Sequence, residues 1–304
     1  MSEYLDSRSE HIVIDSSVTV ISGSAALSVL DRTVTTKLTE MSGLSKKRTL
    51  FCEANGRIRD MATVCLVDDQ ILMLSSSEFG DETRKKLVDG IGWDEECTIL
   101  NGDNAISHIS VLCENSNEII SQFGLENNVL SSEKMLGCGD LLFTKTEFDC
   151  SELVEILTPN ETLASVLSVL REFGSKPLVE ERWDFLRISL GVQNIEDAKG
   201  NLPNELGLNN LVNLQKGCYP GQEIHARIDS RGRSVKNLVR LVSDSPIEIG
   251  THKIDGIGKI SVTSTQYISG VSLSIAMSPV IYPPIERITL ENGKEALIET
   301  LTFP

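Results

Sequence analysis

The sequence changes character near residue 234, and this change limits what the chain can fold into. Before that point, stretches with apolar residues at helical spacing alternate with β-prone stretches. Beyond it the chain contains short β-prone runs separated by turn residues, at 235–242, 258–264, 268–277, 287–290 and 296–303. Such spacing is typical of a small barrel or sandwich. The sequence therefore predicts an α+β region over residues 1–234 and a C-terminal all-β barrel over residues 235–304.

A β-hairpin is predicted around the dipeptide Asn55-Gly56. This dipeptide lies between two β-prone runs, residues 48–54 and 57–64. Both turn residues tolerate positive φ, so the pair is a strong turn signal between strands. Further strands are predicted at 11–22, 70–74, 97–100 and 105–113.

Helices are predicted at five places in the same region. The segment Thr158-Pro159-Asn160-Glu161 combines a capping box with proline at the first helical position, and its helix is expected to run to Phe173. The other helices are expected to open at Ser24, to cover 78–88, to cover 181–190 with Gly191 as the stop, and to start after Gly221. A polar stretch at 193–210 lies between the last two of these helices, and its length indicates a functional or mobile loop.

Composition excludes several classes of protein. The 304-residue chain has a formal net charge of −16, so broad nucleic-acid binding is not expected. Its seven cysteines are an odd set without a C-x-x-C pair, which argues against a disulfide framework or a structural zinc site. The sequence shows neither a signal peptide nor an apolar run of about 20 residues. We expect a cytoplasmic protein that does not contact the membrane.

Residues 216–223 (KGCYPGQE), with 224–227 directly after them, form the segment richest in reactive and hydrogen-bonding groups. Two glycines and a proline predict a sharp turn there. Residues 216–240 also hold six basic side chains against two acidic ones, in a chain that is acidic overall. This local excess of positive charge indicates an anionic ligand, although a surface turn with solvated charges would have the same composition. The basic residues are Lys216, Arg227, Arg231, Arg233, Lys236 and Arg240.

The same segment resembles the signature of YgfZ-type folate-binding proteins, which are relatives of the aminomethyltransferase (T-protein) of the glycine cleavage system. The shared residues are KGCY at 216–219, then Gly221-Gln222-Glu223, Ala226-Arg227 and Gly232. Weaker similarities occur in the expected order along the chain, at 55–60 (NGRIRD), 186–191 (LRISLG), 202–208 (LPNELGL) and 258–264 (GKISVTS). Together they extend from about residue 10 to the end of the chain.

This resemblance implies a fold, a cofactor and partners. The fold is aminomethyltransferase-like, with two intertwined α+β subdomains, the second inserted at about 48–115, plus the C-terminal barrel. Such a fold surrounds a central hole that holds tetrahydrofolate or a one-carbon derivative of it. The resemblance also implies a role near the maintenance of iron–sulfur proteins, with client or assembly proteins of that kind as partners besides folate.

Two positions depart from the pattern of the T-protein. That family shows two adjacent acids in the hairpin, where this chain has Arg59-Asp60, and many relatives carry a glutamate where this chain has Ser189. The resemblance implies that such carboxylates hold the pterin and orient the folate amine. Their replacement argues against full aminomethyltransferase activity, and the cysteine-containing signature favours the YgfZ-type branch.

Cys218 is the candidate catalytic residue. The nearby cation Lys216 and the amides of a glycine-bounded turn would favour its thiolate form, which is the nucleophilic and metal-binding form. The alternative is a buried structural cysteine like the other six. One thiol cannot hold an iron–sulfur cluster, which normally takes four protein ligands, so cluster binding by a single chain is not expected.

Five residues are candidates for binding folate. The carboxylate of Asp60 could accept hydrogen bonds from the amino-pyrimidine of a pterin, and Arg227 and Lys216 could pair with the glutamate carboxylates of folate. Each of the three could equally be a surface charge or part of a structural ion pair. Tyr219 either stacks on the pterin or, as we favour, anchors the turn. Glu205 is either a ligand-site carboxylate or a loop charge.

These observations leave three functions open. The one we expect is a tetrahydrofolate-binding accessory protein that supports the assembly or repair of iron–sulfur proteins through Cys218. The second is a folate-dependent aminomethyltransferase, or another one-carbon transferase, that uses Asp60 to position the folate amine. The third is a structural adaptor with a vestigial folate hole. Whether the chain is an enzyme therefore stays open on the sequence alone.

Overall fold

The computed structural model of the chain describes residues 8–132, 134–232, 234–291 and 293–301. Its helices are α1 (Ala26–Asp31), α2 (Gly80–Asp89), α3 (Ser116–Ser121), α4 (Leu163–Phe173), α5 (Glu180–Leu190), α6 (Ile195–Ala198) and α7 (Gln222–Arg231), with 3₁₀ helices at Pro203–Leu206 and Asn209–Leu211. Its strands are β1 (Ser9–Ile14), β2 (Ser16–Ser22), β3 (Ser45–Cys52), β4 (Ile58–Val67), β5 (Gln70–Ser76), β6 (Thr98–Asn101), β7 (Ile106–Cys113), β8 (Leu136–Cys138), β9 (Leu141–Phe148), β10 (Ser151–Pro159), β11 (Lys176–Pro177), β12 (Lys236–Ser243), β13 (Gly250–Ile254), β14 (Gly258–Ile268), β15 (Val271–Pro279), β16 (Arg287–Thr289) and β17 (Glu295–Thr300). Within the described residues, every helix is too short or too polar to cross a lipid bilayer.

The hairpin sheet has the strand order β3-β4-β5-β2-β6, and each neighbouring pair is antiparallel. The predicted hairpin at Asn55-Gly56 is confirmed as the turn between β3 and β4. Gly56 has a φ of +78°, which explains why glycine occupies this position. On one face of the sheet, Leu30 of α1 and Leu87 of α2 join Val64 of β4 in a buried apolar cluster. The two helices thereby cover that face and leave the other face for the interior of the molecule.

The flanking sheet has the strand order β11-β1-β7-β10-β9-β8. Strand β1 precedes the strands of the hairpin sheet in the sequence, and strands β7 to β11 follow them. Helices α3 and α4 cover one face, where Ile119 and Leu170 are fully buried in a cluster with Val154 of β10. The flanking sheet therefore also keeps one face free for the interior.

The predicted start of α4 is wrong. Thr158 and Pro159 are the last residues of β10, paired with Ser107 and Ile106 of β7, and the helix begins at Leu163. The Thr158 hydroxyl contacts the Thr162 hydroxyl at 2.7 Å and caps no helix. Pairing with β7 extends the strand through the local capping sequence, because a strand end tolerates proline.

The C-terminal sheet has the strand order β13-β14-β15-β12-β17-β16, with antiparallel neighbours throughout. Its all-β content agrees with the prediction, and β13 is a further strand that the sequence pattern does not reveal. A bulge between Val262 and Ser264 interrupts the register of β14 with β15. Residues 302 and 303, the last two of the final predicted run, lie outside the described part of the chain.

A buried ionic network joins α5 to the C-terminal sheet. Arg187 of α5 pairs with Asp197 of α6 at 3.0 Å, and Asp197 is fully buried. The Thr263 and Ser264 hydroxyls of β14 each donate to Asp197 at 2.6 Å. Arg187 belongs to one of the similar segments noted above, 186–191, and Thr263 and Ser264 belong to another, 258–264. The two segments therefore meet in space and serve the packing of the fold.

The stretch at 193–210, expected to be a functional or mobile loop, is packed, which argues against a mobile loop. This stretch contains α6 and most of the two 3₁₀ helices. Ile195, Ala198, Leu206 and Leu208 are buried in the same apolar cluster as Ile188 of α5. Short helices with regularly placed apolar residues therefore make the stretch part of the core.

Candidate functional site

Residues 216–221, called here the signature loop, pack directly against the turn between β3 and β4. Gly221 has a φ of +85°, and a Cβ on it would lie 2.6 Å from Cα of Gly56 and 2.8 Å from the carbonyl oxygen of Glu53. His225, in the first turn of α7, places Nε2 2.8 Å from the carbonyl oxygen of Gly56. The loop and the hairpin turn thus meet backbone to backbone, and only glycine at position 221 permits this approach.

The ammonium of Lys216 is buried and has a full set of partners. It donates to the carbonyl oxygens of Asp31, Val34 (2.9 Å) and Thr36 (2.8 Å), and it lies 3.2 Å from the Asp31 carboxylate. Burial lowers the pKa of Lys216, and the charge of Asp31 opposes this shift. An ammonium has three N–H donors, so none is left for a ligand. These contacts hold the signature loop on residues 31–36, and the pairing of Lys216 with folate or its activation of Cys218 stays a prediction.

Tyr219 of the signature loop and His225 of α7 contact each other. Burial raises the pKa of Tyr219 to about 12 and lowers the pKa of His225. Nε2 of His225 must carry the ring proton because it faces a carbonyl oxygen, so Nδ1 is left to face the Tyr219 hydroxyl at 3.5 Å. This geometry supports Tyr219 as an anchor of the turn.

Arg227 and Glu205 lie apart from each other and serve local structure. Arg227 is exposed on α7 and pairs with Glu223 at 3.1 Å, one turn earlier on the same helix. Glu205 is buried, and its carboxylate accepts the backbone N–H of Leu202 at 2.9 Å. The carboxylate therefore caps a 3₁₀ helix, and Arg227 forms a solvated pair of small energetic value.

Asp60 is fully buried on β4 and points toward α2. Its two carboxylate oxygens accept from the backbone N–H of Met61 and the Thr83 hydroxyl, both at 2.8 Å. Burial raises the pKa of Asp60, and the hydrogen bonds from Thr83 and Met61 oppose this shift. Arg59 reaches the same Thr83 hydroxyl at 3.3 Å. Asp60, together with Arg59, which replaces one acid of the T-protein pattern, thus attaches α2 to the hairpin sheet.

Cys218 is exposed on the signature loop, so the alternative of a buried structural cysteine is excluded. Cys52, Cys65 and Cys113 are buried, and burial raises the pKa of each to about 12. These three are core residues, as predicted, and stay protonated near neutral pH. Cys150, in the turn between β9 and β10, is also exposed.

A cavity of about 230 Å³, called here the central cavity, lies between the free faces of the hairpin and flanking sheets. Strands β2 to β5 form one wall, strands β7, β9 and β10 form the other, and the residues after α5 close one end. The six site residues predicted from the sequence are not among those that line it. A second cavity, of about 290 Å³, lies beside α7 and is lined in part by His225 and Asp229.

A histidine and a carboxylate face each other across one wall of the central cavity. His108 Nε2 lies 3.4 Å from Glu155 Oε1, and its Nδ1 lies 2.9 Å from the Ser16 hydroxyl. The other carboxylate oxygen accepts from the Thr144 hydroxyl at 3.0 Å and lies 3.6 Å from the ammonium of Lys46. Burial alone would raise the pKa of Glu155, but the contacts with His108, Lys46 and Thr144 hold it well below its usual range. Glu155 is therefore an anion at neutral pH.

Arg48 brings a second cation to the same cavity. It lies on β3 directly opposite Thr63 of β4, and both residues line the cavity. Among the described residues, the guanidinium has no hydrogen-bond or ion-pair partner, whereas the ammonium of Lys46 is matched by Glu155. Burial lowers the pKa of Arg48, and the charge of Glu155 partly offsets this. The cavity thus holds one guanidinium without a counter-charge.

Three buried polar atoms that form no hydrogen bond belong to residues that line the same cavity. Among the described residues, Ser75 Oγ and Gln193 Oε1 have no hydrogen-bond partner, and His108 Nε2 has only its 3.4 Å ion-pair contact with Glu155. Native proteins leave few such atoms, and a bound ligand or water is the usual explanation. The polar lining therefore suits a ligand with several hydrogen-bonding groups.

Sequence reasoning missed the residues of the central cavity. Arg48, His108 and Glu155 lie on three different strands, and no short motif contains them. A charged residue inside a β-prone run, such as Glu155 within LVEIL, was the available signal. It indicates an inward charge only once the neighbouring strands are known.

Comparison with known proteins shows the fold. The glycine cleavage system aminomethyltransferase T of Bartonella henselae superposes with a TM-score of 0.83 at 14% identity, over 99% of this chain and 87% of that one. The chain therefore has an aminomethyltransferase-like fold, as predicted. A heterotetrameric sarcosine oxidase from Corynebacterium sp. U-96 gives a TM-score of 0.37 at 12% identity, over 56% of this chain and 88% of that one, which is too low to support an argument.

One curated relative is similar over part of the sequence. The Arabidopsis thaliana protein named "Putative transferase, chloroplastic" is 35% identical over 111 residues, which is 35% of this chain. The match spans 25% of that relative's own length. No protein-family model matches the sequence.

Proposed function

We propose that the chain binds a reduced folate in the central cavity. The observation that carries this proposal is a cavity, within an aminomethyltransferase-like fold, whose walls hold an unmatched cation and partnerless buried polar atoms. Curated names among similar proteins, an aminomethyltransferase and a transferase, agree with folate-dependent chemistry.

The cavity fits the pterin end of the cofactor. Its volume of about 230 Å³ suits a fused ring system better than a whole folate, because sites for drug-sized ligands start at about 300 Å³. The acceptor atoms of Gln193, Ser75 and Glu155 suit the N–H donors of a pterin. Leu50 and Met61 of the hairpin sheet supply apolar contacts for the ring faces. The p-aminobenzoylglutamate tail would then extend beyond the ring.

Titration with tetrahydrofolate under anaerobic, reducing conditions tests this proposal. We expect saturable binding with one site per chain, measured by calorimetry. An absence of binding at millimolar tetrahydrofolate would contradict the proposal and favour a structural adaptor. 5-Methyltetrahydrofolate serves in the same titration as a chemically more stable probe of the same ring.

Within this proposal, the chain is an accessory protein for iron–sulfur enzymes, and Cys218 is its working thiol. The support is that Cys218 is exposed on a loop braced by Lys216, Gly221 and His225, so its position is fixed while its sulfur stays accessible. The test is complementation of cells that lack the protein. Cys218→Ala should fail to restore iron–sulfur enzyme activities, and Cys150→Ala, at the other exposed cysteine, should restore them. Equal restoration by both variants would mean that the Cys218 thiol has no part in the proposed function.

A folate-dependent aminomethyltransferase or other one-carbon transferase is the second candidate function. The pair of His108 and Glu155 favours it, because a histidine held by a carboxylate is a common acid–base arrangement. Turnover with an aminomethylated lipoyl protein, abolished by His108→Gln, would support this reading. A cytoplasmic location stays a prediction.

A further inference from the structure

We infer that Arg48 is a recognition site for a carboxylate inside the central cavity. The inference deepens the proposed function but rests on separate observations, namely the charges that surround this one side chain. Arg48 lies in a strand interior, and its backbone carbonyl is fixed by the Thr36 hydroxyl at 3.0 Å. The backbone that carries the guanidinium is therefore already in place before a ligand arrives.

The charge balance of the cavity requires an anion. Lys46 is matched by Glu155 at 3.6 Å, and its ammonium also donates to the carbonyl oxygen of Lys145 at 2.9 Å. Arg48 is left without a partner among the described residues and cannot lose its proton in the physiological range. Arg48 is half-buried. A partly desolvated cation without a counter-charge costs free energy, and an anionic ligand would offset that cost.

The chemistry of the group selects a carboxylate. A guanidinium presents parallel N–H donors that match the two oxygens of a carboxylate. Glu155 lies in the same cavity and stays ionised, so a second negative charge on the group that meets Arg48 would be repelled. One unmatched cation therefore suits a single carboxylate better than a phosphate group, which carries up to two charges itself.

This carboxylate can come from two sources. It is either the glutamate end of the folate itself or a small carboxylic acid that binds beside the pterin. Tetrahydrofolate carries both the ring and the carboxylates, 6-methyltetrahydropterin carries the ring alone, and acetate carries the carboxylate alone. Calorimetry with the first two, and thermal melts in acetate against equal concentrations of chloride, separate the sources.

The test uses Arg48→Met, which keeps the length of the side chain and removes its charge. If the folate tail is the source, Arg48→Met should weaken tetrahydrofolate about tenfold or more and leave 6-methyltetrahydropterin unchanged. If a small acid is the source, acetate should raise the melting temperature of the wild type above that in chloride, and this gain should vanish in Arg48→Met. The ligand-free variant should melt no lower than the wild type, because it loses a half-buried charge that has no partner.

Two further variants complete the design. Arg48→Lys keeps the charge but lacks the parallel N–H donors of the guanidinium, so it should retain part of the effect. It serves as the measured variant if Arg48→Met fails to fold. Arg287→Met, at an exposed arginine of β16, is the matched control and should change nothing. Unchanged responses to all three probes in both Arg48 variants would overturn the inference. A wild type that responds to acetate through Arg48 but does not bind tetrahydrofolate would refute the proposed function alone.

Discussion

The signature loop and the central cavity differ in how their polar groups are satisfied. In the loop, the Lys216 ammonium has four oxygen contacts and His225 is held on the hairpin turn. In the cavity, Arg48 has no partner among the described residues, and the neighbouring residues contribute buried acceptors without donors. A site that awaits a ligand keeps unused hydrogen-bonding capacity, whereas a structural motif uses its own. The difference indicates that Lys216 and His225 hold the signature loop in place, and that the unused hydrogen-bonding capacity on which our proposal rests lies in the cavity.

Removing the cation from each region should have different effects on stability, and this is the largest effect we expect. Lys216→Met leaves Asp31 and three carbonyl oxygens without their donor, so the free energy of unfolding should fall by roughly 3–5 kcal/mol. Arg48→Met leaves no other group without a partner, so the free energy of unfolding should not fall. Urea unfolding of both variants beside the wild type makes the comparison. Equal losses would mean that Arg48 is as much a structural residue as Lys216.

The two glycines of the signature loop provide a matched test of its packing. Gly221→Ala places a Cβ within 3 Å of the backbone of Gly56 and Glu53 at positive φ, so it should destabilise the fold by about 3 kcal/mol. Around Gly217, a Cβ would meet no atom within 4 Å, so Gly217→Ala should stay within about 0.5 kcal/mol of the wild type. Chemical denaturation gives both values. A Gly221→Ala protein as stable as the wild type would mean that the loop does not rest on the hairpin turn.

The contact of His225 with the hairpin turn should make stability depend on pH. Burial lowers the pKa of His225 below its usual value of 6.5, so the unfolded chain binds a proton at a higher pH than the folded one. The free energy of unfolding contributed by this group is therefore complete above about pH 6.5 and is lost as the pH falls below it. Burial also lowers the pKa of His11. This shift changes the free energy of unfolding with pH in the same direction as that of His225.

Denaturation at pH 7.5 and 5.5 measures this dependence. His225→Gln should be less stable at pH 7.5 and should lose less on acidification than the wild type. His252→Gln, at a partly exposed histidine of β13, is the control and should keep the wild-type slope. An unchanged slope in His225→Gln would place the titrating group elsewhere.

Cys218→Ala should have the smallest effect on stability. The side chain is exposed, so its truncation is expected to stay within about 0.5 kcal/mol of the wild type. Unfolding by urea with a reducing agent present is the measurement. A larger loss would mean that the thiol packs into the loop and that its role in cells cannot be separated from folding.

The sequence predicted elements whose signals are local. Asn55-Gly56 marked the hairpin because its turn needs positive φ, and Gly191 marked the end of α5 for the same reason. The capping sequence at Thr158 failed because pairing of β10 with β7 is a long-range interaction that local rules do not include. Long-range pairing also decides which way each strand residue points.

The candidate site was harder to predict than the fold for that reason. Arg48 and Thr63 face the cavity together only because β3 and β4 pair in this register. Asp60, on the same strand as Thr63, points to the opposite side and is used by α2. The dense motif at 216–223 attracted attention because its residues are adjacent in sequence, whereas the cavity assembles residues that are about 100 positions apart.

Tetrahydrofolate titration of two variants tests most directly whether folate binds in the cavity or at the loop. Thr63→Phe adds a ring to the wall of the central cavity beside Arg48, and Cys218→Ala changes only the signature loop. We expect Thr63→Phe, verified as folded by its melting curve, to weaken binding at least tenfold, and Cys218→Ala to bind like the wild type. Wild-type affinity in Thr63→Phe together with lost affinity in Cys218→Ala would contradict the account.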